Sequence, residues 1–229
     1  MKNTVRPLIS LLTLLAALGS SFNASAQAAE IKGSAQAGEK KAAMCIGCHG
    51  IPDYKATFPE VYRVPMISGQ GAKYIVSALT QYKKGDRKHP TMRGIAAPLS
   101  EQDMADLAAF YSGEAKAEAI PATIAAAPPA DVAAVLTKGN CTSCHGANFS
   151  SPIDPSYPKL AGQHPDYLVE ALKEYQTDKN PQVGRNNAIM MGMARPLTRA
   201  EAKTLAAYIG SLPSELRTVP QSRFRFSSN

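Results

Sequence analysis

The chain has 229 residues, with 25 Lys+Arg against 18 Asp+Glu and a formal net charge of +7. A balance this modest, with no stripe of basic and aromatic residues, argues against a nucleic-acid surface. Aromatics make up 7% and Trp is absent, so two small domains cut from this length would have thin cores unless a large flat group filled them.

The first residues carry Lys2 and Arg6, an apolar run over 8–18 and the small-x-small triplet Ala24-Ser25-Ala26. This is the pattern of a cleavable export signal over residues 1–26. The apolar run falls short of the roughly 20 residues needed to span a bilayer, and no later segment reaches that length. The expectation is a soluble periplasmic protein.

A short helix from Gly38 to Ala43 then runs into CIGCHG (45–50). Next, VPMISGQGAKYIVSALTQY (64–82) sets Tyr74, Ile75, Ala78, Leu79 and Tyr82 at helical spacing. TMRGIAAPLSEQDMADLAAFY (91–111) ends in a helix opened by a capping box, Ser100 with Asp103. EAKAEAIPATIAAAPPA (114–130) reads, from its Ala and Pro content, as a linker of limited flexibility. Asp131 stands where it would cap the following helix.

Beyond the linker the chain repeats itself. CTSCHG (141–146), YPKLAGQHPDYLVEALKEY (157–175) and IMMGMARPLTRAEAKTLAAYI (189–209) follow at offsets of 96, 93 and 98, with a second capping box in Thr198 and Glu201. No run alternates at period two. The reading is all-α, two tandem copies of one domain: residues 27–113, a linker over 114–130, and residues 131–229.

C-x-x-C-H is the attachment signature of c-type haem. Two thiols add across the two vinyl groups of the porphyrin, and the next histidine sits beneath the ring, where its imidazole reaches iron. Cys45, Cys48 and His49 form one set; Cys141, Cys144 and His145 form the other. One shared zinc would not need a His directly after each pair. A thiol-exchange motif belongs at a strand–helix junction, and two disulfides would leave the repeated His unexplained. Two covalent haems are therefore expected.

A thioether on the sixth position favours ferrous iron. Met92 and Met190 occupy the same repeat position, six residues before Pro98 and Pro196, and are the expected axial ligands. Met191 and Met193 are close rivals to Met190, yet together with Met44, Met66 and Met104 they read as core fillers. His89 and His164 have no counterparts in the other copy and read as surface or supporting imidazoles rather than ligands. Tyr74 and Tyr167 read as core, Pro65 and Pro158 as loop-fixing residues on the haem face. The clusters Lys83-Lys84 and Arg87-Lys88 read as solvated.

Two Cys-x-x-Cys-His domains, each with a P-x-x-x-G-Q-x-x-x-Y segment (PMISGQGAKY, 65–74; PKLAGQHPDY, 158–167) and a later Met before a Leu-Ser/Thr helix cap (HPTMRGIAAPLS, 89–100; NNAIMMGMARPLT, 186–198), resemble the cytochrome c4 family. The resemblance spans about Gly38 to Leu212. It implies two class I cytochrome c domains about a pseudo-twofold axis. It also implies a soluble or membrane-associated periplasmic carrier, fed by a quinol-oxidising complex or dehydrogenase and emptied by a terminal oxidase. The tail SRFRFSSN (222–229) lies outside the match.

The leading functional reading is an electron carrier rather than an enzyme, since two closed irons leave no site for substrate. A haem subunit of a larger dehydrogenase or oxidase complex fits the residues equally. A dihaem peroxidase or thiosulfate-oxidising enzyme would need one open iron, and no distal acid–base cluster is visible.

Overall fold

The structure, a computed structural model, describes residues 31–114, 120–124 and 127–220. The expected export signal (1–26), parts of the expected linker and the tail 222–229 lie outside the described residues.

The first repeat runs α1 (Ala35–Lys41), α2 (Ala43–His49), β1 (Lys55–Ala56), β2 (Tyr62–Arg63), α3 (Ala72–Lys84), β3 (Arg87–Lys88), α4 (Pro90–Ala96) and α5 (Glu101–Gly113). The second runs α6 (Ala130–Gly139), α7 (Thr142–His145), α8 (Pro165–Gln176), β4 (Gly184–Arg185), α9 (Ala188–Ala194) and α10 (Arg199–Gly210). In each, the first and last helices pack on one another, α1 on α5 and α6 on α10, and the middle helix packs on the last, α3 on α5 and α8 on α10.

Local chemistry places these helices. Both expected capping boxes form: the Ser100 and Thr198 hydroxyls accept from the third helical N–H, and Asp103 and Glu201 accept from the cap N–H. Gly85 closes α3 with φ +85°, a left-handed value that a Cβ would oppose. The α1–α5 crossing needs Gly38, since a Cβ there would lie 2.0 Å from the Asp106 carbonyl oxygen. Asp131 does not cap. Helix α6 begins at Ala130 behind Pro129, whose ring cannot donate, and Asp131 sits in the first turn as a negative charge at the helix N-terminus.

The first core gathers Ala42, Ile46, Ile75, Leu107, Ala108 and Tyr111. The second gathers Val135, Phe149, Ala161, Leu168, Leu197, Leu205 and neighbours, with Ile124 of the linker packed against it. Asn148 also ties the linker down by donating to the Pro121 carbonyl at 2.8 Å.

The repeats join along one seam. Strands β3 and β4 pair antiparallel, Arg87 opposite Arg185 and Lys88 opposite Gly184, and the Asn186 N–H donates to the Asp86 carbonyl at 2.7 Å. Arg63 reaches Asp166 at the start of α8, with Nε 3.1 Å from Oδ2. The Arg217 N–H crosses back to the Ser68 carbonyl at 3.0 Å. Among the described residues no helix is long and apolar enough to cross a membrane.

Candidate haem-binding sites

Cys45 and Cys48 lie on one turn of α2, followed directly by His49; Cys141 precedes α7, which carries Cys144 and His145. All four cysteines are free thiols. No group of three or more His, Cys, Asp or Glu converges among the described residues, so the two pairs do not share one tetrahedral centre.

The two histidines are held alike. His49 Nδ1 lies 2.8 Å from the Pro65 carbonyl oxygen, and His145 Nδ1 lies 3.1 Å from that of Pro158. A carbonyl can only accept, so each Nδ1 carries the proton and each Nε2 keeps its lone pair. Burial holds both imidazoles below their usual pKa, hence neutral at pH 7. The recurring prolines are thus the residues whose carbonyls orient the imidazoles.

A cavity of about 680 Å³ runs through both repeats. Cys45, Cys48, His49 and Met92 line it from the first repeat, and Cys141, His145 and Met190 from the second. Cys144 is half-buried in α7 but does not reach this wall. Of the rival methionines, Met191 stays off the wall while Met193 joins it, and so do Met44 and Met66. The core-filler reading fits Met104, which is buried. It does not fit Met44, which is 69% exposed because α2 turns it outward at the cavity rim, nor Met193, which is 39% exposed on the cavity wall.

Each candidate methionine rides on a short helix with a matched N-cap. His89 Nδ1 accepts from the Met92 N–H at 3.3 Å, and Asn187 Oδ1 accepts from the Met190 N–H at 3.0 Å. Contrary to the sequence reading, His89 does have a counterpart, Asn187, because either side chain can accept from the third helical N–H. Its other nitrogen, Nε2, donates to the Tyr62 hydroxyl at 3.0 Å. His164 is half-buried at the start of α8 and caps nothing.

Four residues that shape the site escaped the sequence reading. Gln70 and Gln163, the Gln of each G-Q element, are both buried and bond across the seam to the backbone of the opposite repeat. Arg87 is buried, not solvated as its neighbour Lys88 suggested, and so is Arg185. Their recurrence at an offset of 98 was the available signal. Tyr74 and Tyr167 line the cavity beneath these arginines rather than filling either core.

The residues present fit haem c: paired free thiols two residues apart, a neutral imidazole beside each pair, and a mostly apolar cavity against both. The cytochrome c family model matches residues 33–112 and 129–213. A cytochrome c4 of Azotobacter vinelandii is 32% identical over 222 residues, 89% of this chain and 98% of that protein. The chain belongs to the cytochrome c4 family. The solved structure of reduced recombinant cytochrome c4 from Pseudomonas stutzeri is similar over 79% of this chain and all of that one, at 27% identity and a TM-score of 0.55. A thiosulfate dehydrogenase electron acceptor of Stutzerimonas stutzeri is 29% identical over 200 residues, 77% of this chain and 83% of that protein.

Membership in the cytochrome c4 family makes the chain a dihaem c-type cytochrome, two tandem cytochrome c domains with covalently bound haem, and an electron carrier. Haem so bound supplies a one-electron change at iron, and the protein tunes it through axial ligands, burial and charge.

Proposed function

We propose that Cys45, Cys48, Cys141 and Cys144 anchor the two haems, that His49 and Met92 ligate one iron, and that His145 and Met190 ligate the other. With both axial positions filled at each iron, the protein exchanges single electrons with redox partners and offers no position for a substrate. The observation that carries this reading is the repetition. Both copies hold the imidazole through the same proline carbonyl and set a methionine on the cavity wall behind the same kind of N-cap. Met193 also lines the wall, but its repeat partner is Ile95, which has no sulfur.

The working place is the periplasm, in line with the export signal read over residues 1–26. A quinol-oxidising complex or a dehydrogenase supplies electrons, and a terminal oxidase takes them. The likeness to a thiosulfate dehydrogenase electron acceptor supports a second donor reading, in which the electrons come from thiosulfate oxidation on a partner enzyme.

Haem counting on the purified protein, with the intensity of the weak ferric sulfur-to-iron charge-transfer band, tests the ligation. Two haems with two bands' worth of intensity are expected. Two haems with one would mean an open iron and favour an enzyme. Stopped-flow reduction by thiosulfate dehydrogenase with thiosulfate, set against oxidation by oxidase-containing membranes, separates the partner readings.

A further inference from the structure

Two arginines meet where the repeats join. Arg87 and Arg185 are opposite one another in the β3–β4 pair, both are buried, and both line the shared cavity. Each guanidinium lies over two tyrosines of its own repeat. Arg87 is 5.6 Å from the Tyr74 ring centroid and 5.2 Å from that of Tyr82; Arg185 is 5.5 Å from Tyr167 and 5.4 Å from Tyr175. Each also donates to the first tyrosine hydroxyl, at 3.0 Å and 3.3 Å.

The symmetry ends at the charge. Arg185 Nε donates to the carboxylate of Glu174, and both side chains of that pair are 6% exposed. The repeat register puts Gln81 where the second copy has Glu174. Arg87 Nε is buried with no hydrogen-bond partner, and no carboxylate among the described residues lies within 4.0 Å of that side chain. A guanidinium does not lose its proton in a protein. Tyrosine faces attract it but do not neutralise it, and a buried cation without an anion is strongly unfavourable. The arginine pair therefore has one carboxylate for its two cations, on the wall of a cavity built for haem.

Haem c carries two propionates, each a carboxylate at neutral pH. We infer that Arg87 receives a propionate of the haem in the first repeat, in the role that Glu174 fills for Arg185. The two haems are then electrostatically unequal. The first has a propionate neutralised by a buried guanidinium, while the second faces an arginine already paired. This rests on the two-haem reading above and assigns a residue to each half of the asymmetry.

The test is a redox titration of the holo-protein resolving both haems, for wild type, Arg87→Gln, Arg87→Lys and Gln81→Glu. Arg87→Gln removes a cation beside a propionate, which favours ferric iron, so one potential falls and the other holds. The haem that moves is the one whose charge-transfer band Met92→Ala abolishes. Arg87→Lys keeps most of the wild-type value, since the charge remains. Gln81→Glu lowers the same potential, because its carboxylate competes for Arg87; this variant decides the matter if Arg87→Gln does not mature with two haems. Both potentials unmoved, or moving together, would overturn the assignment. So would a first potential that follows added phosphate rather than residue 87, which would make the occupant a free anion. Wild-type spectra without two methionine bands would defeat the ligation reading instead, whereas intact bands with unmoved potentials defeat this one.

Discussion

Gln70 and Gln163 clasp each other's repeats through equivalent backbone positions. Gln70 donates to the Lys159 carbonyl at 3.0 Å and accepts from the Lys159 N–H at 2.8 Å. Gln163 donates to the Met66 carbonyl at 2.9 Å and accepts from the Met66 N–H at 3.0 Å. Met66 and Lys159 share one repeat position, as do the two glutamines. Side chains differ at the clasped position because the clasp reads only backbone. Each glutamine also accepts from the N–H of the residue after it, which fixes its side chain before it reaches across.

Removing either clasp should loosen the seam. Gln70→Ala or Gln163→Ala forfeits two cross-repeat hydrogen bonds, each worth about 1 kcal/mol net, so a loss of roughly 2 kcal/mol is expected in denaturant unfolding of the holo-protein. The double variant should lose less than the two singles combined, since both act on one interface. Single losses below about 0.5 kcal/mol, within what ordinary surface substitutions do, would show that the clasp does not hold the seam.

The sixth ligands have a direct readout. Met92→Ala and Met190→Ala should each abolish half of the charge-transfer band and let cyanide bind rapidly at one haem. Met191→Leu and Met193→Leu should leave both properties intact. If Met193→Leu removes the band while Met190→Ala does not, the second repeat uses the later methionine.

The matched caps predict a thermal signature. His89→Ala strips the N-cap from the helix that bears Met92, at a cost of about 0.5–2 kcal/mol. His89→Asn should restore it, because asparagine already does that work at position 187. The observable is the temperature at which the first haem's charge-transfer band fades: lower in His89→Ala, near wild type in His89→Asn. Equal fading in both variants would mean that the Tyr62 contact matters and the cap does not.

Acid should act through the last helix of each repeat. A hydrogen bond from Lys138, with others from Thr198, pulls the Glu201 carboxyl from 4.5 down to about 2. Lys41 and Ser100 likewise hold Asp103 below its usual range. A folded-state pKa below the unfolded one stabilises above the unfolded value and fades as pH drops toward the folded value. For Glu201 that window runs from about 4.5 to about 2. Glu201→Gln should flatten the decline of the unfolding midpoint across it; an unchanged slope would show that the exposed pair contributes nothing.

What the sequence by itself determined was everything carried by short-range spacing. The covalent motif needs only residues 45–49 and 141–145, the capping boxes only four residues each, and the helical stripes one face of one helix. Repetition then matched Met92 with Met190 without any coordinates, because copies of one domain place equivalent residues alike. The seam lay beyond such reasoning. Aligning the copies says that Gln70 matches Gln163 and Arg87 matches Arg185, but not that these positions meet along one seam. Arg87 looked solvated beside Lys88 because neighbours in a strand point to opposite sides, and which side faces the cavity is set by how two domains dock. Asp131 failed as a cap because the helix starts at Ala130, with Pro129 in the cap position two residues before Asp131. The clasp, the arginine pairing and its missing carboxylate arise from contacts between residues about a hundred positions apart, and only packing the two copies together decided them.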